Sequence, residues 1–200
     1  MKEMRVVLPS IERPKKLPVV LGRNEVRRLL RAPKLLKHRL VLAMLYGCGL
    51  RNFELCNLQL KDLDLERMML HIRQGKGRKD RYVPLCAMQV RGLRKYISAE
   101  RPVTWCFNGN DSKGDPVALS TTGVQWIVRE ARKHSGIQKE VTTHSLRHSY
   151  ATHLLEMGLD IISVKDLLGH ADIQTTLTYL HVAQLGRQRP FSPLERLYNK

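Results

Sequence analysis

The chain has 200 residues, of which 42% are hydrophobic and 26% are charged. Lys and Arg number 35 against 18 Asp and Glu, so the formal net charge is +17 at pH 7. This composition excludes a disordered basic tail, because apolar residues recur along the whole chain and are numerous enough to form a core. The charge predicts a polyanionic partner, although part of the excess could belong to an ordinary solvated surface.

The cysteines and the apolar runs point to a cytoplasmic protein. The four cysteines lie far apart and include no C-x-x-C pair, so neither a disulfide framework nor a zinc site is indicated. The amino terminus lacks the apolar segment of a signal peptide, and no apolar run approaches the roughly 18 residues that span a bilayer. We therefore expect a soluble chain with no membrane partner.

The first predicted elements follow a basic, proline-containing segment, residues 1–17, which reads as an extended linker or arm. Amphipathic helices are predicted over 24–32 and 37–46, and the second ends at a glycine pair. A third helix resumes at residue 50, which places Arg51 at a break between helices. Its guanidinium could point into a cleft, or Arg51 could start the helix and pair with Glu54.

A glycine-rich hairpin is predicted next. Residues 62–64 read as a turn, and residues 68–72 and 81–84 read as two strands. The cationic residues at or near the tip are Lys76, Arg78, Lys79 and Arg81. A lysine flanked by glycines there could reach into a nucleic-acid groove, although exposed hairpin tips often carry lysine for solubility alone.

The chain between 89 and 136 is predicted to hold two helices around an irregular segment. A helix over 89–100 precedes a short buried strand over 105–107 and a polar loop over 108–116, with Trp105 and Phe107 in the core. Ser120 is predicted to cap the next helix, which Gly136 ends.

Three further helices are predicted in the last third. The first runs over 144–157, and Asp160 caps a short one that ends at Leu168. Gly169-His170 is a second break that presents a histidine. The final helix begins at residue 175 or 176 and carries Tyr179 one turn in.

Phosphate chemistry is indicated by the side chains between 144 and 179. His144 and Arg147 share a helical face, and His170 and Tyr179 follow. A tyrosine hydroxyl with a pKa of about 10 is a weak nucleophile, so its neighbours must lower its pKa or accept its proton. The alternatives are metal binding by histidines such as His148, which lacks the Glu of H-E-x-x-H, and a packing role for Tyr179.

Five signals in this order resemble the tyrosine recombinase (phage integrase) family, and its Xer and integron integrase groups in particular. They are Gly49-Leu50-Arg51-x-x-Glu54-Leu55, Gly75-Lys76-Gly77, His144-x-x-Arg147-His148, Leu168-Gly169-His170 and Tyr179. The resemblance runs from about residue 17 to about residue 182. It implies a mainly α-helical α+β catalytic domain with a small antiparallel β-sheet, which we assign to residues 18–183.

The resemblance also implies a role for each matched residue. Tyr179 would attack a DNA phosphodiester, form a 3′-phosphotyrosyl bond and release a 5′-hydroxyl. Arg51 and Arg147 would hold the non-bridging oxygens, and Lys76 would protonate the leaving oxygen. His144 and His170 would assist proton transfer or position the phosphate. The implied reaction is site-specific recombination of double-stranded DNA by a tetramer, with no metal, cofactor or ATP.

The sequence departs from the family pattern in three places. Phe53 replaces a small polar residue, which we expect to alter local packing more than chemistry. The usual amino-terminal helical domain has no counterpart, so we expect an excised catalytic domain or a member of a short type. Residues 184–200 form a tail that we expect to dock on a neighbouring subunit. Two rival functions are relaxation of DNA by a type IB topoisomerase and DNA binding without cutting.

Overall fold

The computed structural model describes residues 18–73, 80–111 and 113–184. In these ranges the helices are α1 (Arg23–Arg31), α2 (Leu36–Gly47), α3 (Asn52–Cys56), α4 (Ala87–Glu100), α5 (Thr121–Ser135), α6 (Thr143–Glu156), α7 (Ile161–Leu168) and α8 (Gln174–Gln184). The strands are β1 (Leu63–Asp64), β2 (Met69–Ile72), β3 (Arg81–Pro84), β4 (Asn108–Asn110) and β5 (Pro116–Ala118). The predicted linker, the hairpin tip with Lys76, and the tail beyond residue 184 lie outside the described residues.

The hairpin predicted in the middle of the chain is part of a three-stranded antiparallel sheet in the order β1-β2-β3. Strands β2 and β3 pair along their length, from Met69 with Pro84 to Ile72 with Arg81. The turn predicted over 62–64 is wrong. A 3₁₀ turn ends at Asp62, and Leu63 then pairs with Leu70 as a strand, because that pairing covers the edge of β2.

A second hairpin, β4–β5, replaces the polar loop predicted over 108–116. Asn108 pairs with Ala118, so the strand begins after the predicted segment 105–107 and not within it. The prediction failed because β4 is Asn-Gly-Asn and β5 is a largely exposed Pro-Val-Ala, so no alternation of polar and apolar residues marks either strand. Phe107 does lie in the core, with 1% of its surface exposed.

Capping residues explain why the helix boundaries follow the predictions closely. The Ser120 hydroxyl accepts a hydrogen bond from the Gly123 N–H at 3.0 Å, and the Asp160 carboxylate accepts one from the Ser163 N–H at 2.9 Å. Thr142 caps α6 in the same way through the Ser145 N–H at 3.2 Å. Each cap satisfies a backbone donor that the first helical turn leaves without a partner.

Helix α6 lies between two groups of buried side chains. The larger core is built on α2, whose buried residues include Leu42 and Met44, and it extends to the amino-terminal half of α6. The smaller core joins α6 to α7 and α8 through residues that include Leu155, Val164 and Tyr179. Side chains from both cores therefore meet along α6, which carries His144 and Arg147.

Candidate active site

Arg147 is the most deeply buried of the predicted site residues, with 3% of its surface exposed. Its Nη1 donates to the carbonyl oxygen of Gly49 at 2.5 Å, and its Nη2 donates to that of Leu168 at 2.6 Å. Burial and the charge of Arg51 lower its pKa to about 10, so the guanidinium stays charged at neutral pH. Arg147 therefore holds together the two backbone segments that carry Arg51 and His170.

Two glycines allow these segments to approach the arginines. Gly49 has φ +58, and a Cβ there would lie 2.5 Å from Cδ1 of Tyr150. Gly169 has φ +63, and a Cβ there would lie 2.9 Å from Nη1 of Arg81. L-residues rarely adopt this backbone conformation, and the space for a side chain is already filled.

Arg51 stands immediately before α3, and both readings of its sequence context are correct. Its Nη1 donates to Oε1 of Glu54 at 2.7 Å, and its backbone N–H donates to Oε2 of Glu54 at 2.8 Å. Its Nη2 donates to the carbonyl oxygen of Gly169 at 3.2 Å. The ion pair with Glu54 thus orients the guanidinium towards the cleft, and the two roles do not compete.

Arg81 lies next to the hairpin tip, as predicted, but its side chain is buried and not exposed. It starts β3 with 9% of its surface exposed, and its Nε donates to the carbonyl oxygen of Leu167 at 2.9 Å. Its Nη1 and Nη2 donate to Oε1 and Oε2 of Glu54 at 2.9 and 2.8 Å. Burial alone would raise the pKa of Glu54, but Arg81 and its other partners lower it to about 2. The sequence could have indicated this burial, because side chains alternate between the two faces of a strand and Arg81 shares a face of β3 with buried Val83.

The Tyr179 hydroxyl is hydrogen-bonded to a histidine that the sequence analysis did not assign to catalysis. The hydroxyl lies 3.0 Å from Nδ1 of His148, across the interface of α6 and α8. Burial raises the pKa of Tyr179, against the lowering effect of the Arg147 and Arg51 charges. Of the two requirements stated for the nucleophile, the structure therefore supplies a proton acceptor and not a lowered pKa.

The two predicted histidines occupy different positions. Nδ1 of His170 lies 2.9 Å from the hydroxyl of buried Thr176, and the His170 ring is stacked on that of Tyr179 with centroids 6.1 Å apart. Burial and the nearby arginine charges lower the pKa of His170 to about 3. His144 is exposed at the first turn of α6, and its ring centroid lies 6.3 Å from that of His148.

A single cavity of about 300 Å³ collects these groups. Its lining includes Arg51, His144, Arg147, His148, His170 and Tyr179. Five of the six predicted site residues therefore share one cavity, and the sixth, Lys76, lies outside the described residues. Cationic donors beside a hydroxyl and neutral imidazoles are suited to holding a phosphate group while a nucleophile attacks it.

Comparison with known proteins identifies the family. The model of the phage integrase family matches residues 20–185. The chain belongs to this family. The tyrosine recombinase XerA of Thermococcus kodakarensis is 41% identical over 171 residues, which are 84% of this chain and 60% of that protein. The chain therefore spans about three fifths of the length of this relative.

Solved structures confirm the mainly helical fold with small antiparallel sheets. A crystal structure of XerA recombinase superposes with a TM-score of 0.76 and 31% identity, covering 91% of this chain and 68% of the other. A structure of the XerH site-specific recombinase bound to palindromic difH substrate, a post-cleavage complex, gives a TM-score of 0.73 and 27% identity. It covers 91% of this chain and 53% of the XerH chain.

Two kinds of feature, a membrane-spanning helix and a cluster of metal ligands, are absent from the described residues. None of the helices in that part of the chain is long and apolar enough to cross a membrane. Within the same ranges, no three His, Cys, Asp or Glu side chains are grouped so as to hold a metal ion. Phe53 is 68% exposed and lines a cavity with Trp105 that is separate from the one holding the predicted site residues, so the expectation that it alters local packing more than chemistry stays a prediction.

Proposed function

We propose that this chain cuts DNA strands at specific sites and rejoins them through a bond between Tyr179 and a 3′-phosphate. One observation carries the proposal: the Tyr179 hydroxyl shares a cavity of about 300 Å³ with the guanidinium groups of Arg51 and Arg147. The likeness to XerH, which has been crystallised in a post-cleavage complex with its DNA substrate, supports it.

In this proposal Arg51 and Arg147 hold the non-bridging oxygens of the scissile phosphate. A guanidinium has five N–H donors, and the backbone carbonyls of Gly49 and Leu168 accept hydrogen bonds from only some of the Arg147 donors. The remaining donors are fixed in direction by those same bonds. Prepositioned donors of this kind stabilise a developing negative charge without reorganising during the reaction.

The chemistry follows from the same geometry. The Tyr179 oxygen attacks phosphorus, and the leaving 5′-oxygen takes a proton, which we assign to Lys76 by resemblance. His144 and His170 contact the phosphate or orient the tyrosine, since Nδ1 of His170 is held by Thr176 and Nε2 remains for the ligand. The guanidinium groups neutralise the negative charge of the phosphorane, so the proposal requires no divalent metal. The phosphotyrosyl bond keeps the energy of the broken phosphodiester bond, so rejoining requires no ATP.

The proposed partner is double-stranded DNA, with four copies of the chain acting on two duplexes. The net charge of +17 supports a polyanionic partner. We assign the action to the cytoplasm because the proposed substrate is DNA. Mass measurement of protein bound to DNA carrying one or two recombination sites tests the assembly, and complexes that never exceed one copy per site would contradict it.

The first experiment traps the covalent intermediate. The purified chain is incubated without magnesium with a random-sequence pool of nicked duplexes, in which cleavage a few nucleotides from the nick on the same strand releases a short 5′-hydroxyl fragment and prevents rejoining. Covalent adducts are separated on a denaturing gel and their DNA is sequenced. We expect an adduct that Tyr179→Phe abolishes, with an enriched DNA sequence around the junction.

The matched control is Tyr46→Phe, because Tyr46 is a second tyrosine whose hydroxyl is bonded to a histidine, at 2.9 Å from Nδ1 of His153. This variant should form the adduct as the unaltered chain does. Adducts without any enriched sequence, together with relaxation of plasmid DNA, would favour the topoisomerase. DNA binding without an adduct would establish a non-cutting protein and overturn the proposal.

A further inference from the structure

Helix α6 makes two tyrosine–histidine hydrogen bonds of similar length. His148 Nδ1 lies 3.0 Å from the Tyr179 hydroxyl on α8, and His153 Nδ1 lies 2.9 Å from the Tyr46 hydroxyl on α2. In both pairs the two ring centroids lie within 6 Å, at 5.3 and 5.8 Å. The pairs differ in one respect: only the first lines the cavity with the arginines.

We propose that His148 is the base that takes the proton of the Tyr179 hydroxyl when the strand is cut, in place of His144 or His170. This inference rests on the proposed function and assigns a residue to a step that the family resemblance left divided between two other histidines. It follows from the hydrogen bond between Nδ1 of His148 and the hydroxyl oxygen of Tyr179.

The other groups in the cavity are less suited to this step. Arg51 and Arg147 have no acceptor atom, since a guanidinium only donates hydrogen bonds. His170 engages Thr176 through Nδ1 and stacks its ring on the Tyr179 ring, with no hydrogen bond to the hydroxyl. His144 is exposed one helical turn before His148, and it is the His148 ring whose Nδ1 is hydrogen-bonded to the hydroxyl.

The protonation states are consistent with proton transfer in this direction. Burial and the charges of His144 and Arg147 lower the pKa of His148 to about 4, so its imidazole is neutral and has a free lone pair at pH 7. Tyr179 keeps its proton, because burial raises its pKa. A phosphodiester bound to Arg147 adds a negative charge that opposes the arginine charge, which makes His148 more basic in the complex than in the free chain.

Strand cleavage moves one proton and exchanges one bond at phosphorus. The O–H bond of Tyr179 breaks and its proton moves to Nδ1 of His148, which becomes an imidazolium with Nε2 also protonated. The Tyr179 oxygen forms a bond to phosphorus, and the bond from phosphorus to the 5′-oxygen breaks. On rejoining, a 5′-hydroxyl attacks the phosphotyrosine, and the imidazolium returns its proton to the departing Tyr179 oxygen.

The test compares His148→Asn with His153→Asn in single-turnover cleavage of the nicked substrate. Asparagine places a polar atom near the position of Nδ1 but accepts no proton, and each variant replaces the histidine of one part-buried tyrosine–histidine pair. We expect His148→Asn to cleave more slowly by about 10² to 10⁴-fold with unchanged DNA affinity. His153→Asn should cleave at nearly the unaltered rate.

Chemical rescue separates a base from a residue that only positions the tyrosine. His148→Ala is assayed with added imidazoles of graded pKa, and we expect cleavage to return at a rate that rises with the pKa of the added base. Circular dichroism and thermal unfolding establish that each variant is folded. A merely structural role would show no dependence on that pKa.

Three results would overturn the inference: nearly unaltered cleavage by His148→Asn, equal losses in the two asparagine variants, or a loss in His148→Ala that no base restores. Failure of the proposed function looks different, because the unaltered chain itself would then form no adduct. An adduct in the unaltered chain together with full activity in His148→Asn would reject only the role of His148.

Discussion

Glu54 is the residue through which the cationic side chains of the cleft are held in relation to one another. Its carboxylate accepts hydrogen bonds from the side chains of Arg51 and Arg81 at 2.7 to 2.9 Å and lies 3.9 Å from Nη1 of Arg147. Arg51 has no other carboxylate partner among the described residues. The direction of its guanidinium therefore depends on Glu54, and the place of Glu54 depends on Arg81.

Replacing Arg81 by Met should reduce cleavage without a matching loss of DNA binding. The change removes both side-chain bonds to Glu54 and the bond to Leu167, so the carboxylate that pairs with Arg51 is held less firmly. A shift of about 1 Å in a positioned group costs on the order of 100-fold in rate, which is the loss we expect in single-turnover cleavage. A methylphosphonate at the scissile position, which lacks the negative charge that Arg51 meets, should shrink that loss.

Arg73→Met is the control for this experiment. Arg73 also pairs with a buried carboxylate, that of Asp62, just beyond the hairpin end of β2, and this ion pair does not involve Glu54. Arg73→Met should retain cleavage, and unfolding in urea establishes that the variant is folded. If the Arg81→Met defect were equally large on the phosphate and the methylphosphonate, Arg81 would act on the fold and not through Arg51.

Some of the candidate site residues can be predicted from the sequence, whereas others are recognised only because tertiary packing brings them together. Arg51, Arg147 and Tyr179 follow from motif spacing, and the inward direction of Arg81 follows from its alternation with Val83. The bond between His148 and Tyr179 does not follow from any local pattern, because it depends on how α8 packs on α6. For this reason the sequence analysis places His148 in a motif and among possible metal ligands but assigns it no catalytic role.

At the scale of elements, the tight ends of α2 and α7 determine whether the cleft can form. Gly49→Ala should destabilise the fold, because it combines a left-handed backbone with a Cβ 2.5 Å from Tyr150. We expect about 1 to 2 kcal/mol from the backbone and about 1 to 3 kcal/mol more from overpacking. Equilibrium unfolding in urea measures the sum.

Gly136→Ala isolates the backbone contribution to that sum. Gly136 has φ +67 at the end of α5, and a Cβ there meets nothing within 4 Å. This variant should lose about 1 to 2 kcal/mol, the cost of the left-handed conformation alone. Equal losses in the two variants would mean that Tyr150 moves aside freely and that the contact is unimportant.

Helices with strong capping residues were predictable, and strands of two or three residues were not. Ser120, Gly136 and Asp160 set helix ends within a residue of the predictions because each cap acts locally. The hairpin β4–β5 was missed because neither an alternation of apolar residues nor a capping residue indicates that these two strands pair. The pairing of β1 was missed because a two-residue strand exists only where a neighbouring strand covers it.

At the scale of the whole molecule, the positive charge should make DNA binding strongly dependent on salt. The logarithm of the binding constant should fall with the logarithm of the salt concentration, with a slope of about −0.9 for each phosphate contacted. Arg129 lines a groove of about 410 Å³ that shares His144 with the catalytic cavity. Arg129→Gln should therefore reduce the slope by about one phosphate contact, as measured by fluorescence anisotropy.

Arg31→Gln is the control for the salt titration, since Arg31 lines a groove that shares no residue with the catalytic cavity. Both variants lose one positive charge, so a general effect of net charge would change both slopes equally. That result, or a binding constant insensitive to salt in the unaltered chain, would contradict a path for DNA along α5.

The group formed by Arg51, Arg81, Arg147 and Glu54 carries three positive charges against one negative charge, and so holds two unmatched positive charges. A phosphodiester brings one negative charge, whereas the phosphorane formed after the tyrosine proton leaves brings two. The charges of these four side chains are matched only in the second case, while the transferred proton rests on His148. The arginines and Glu54 therefore match the charge of the phosphorane better than that of intact DNA, which is the difference in binding that accelerates a reaction.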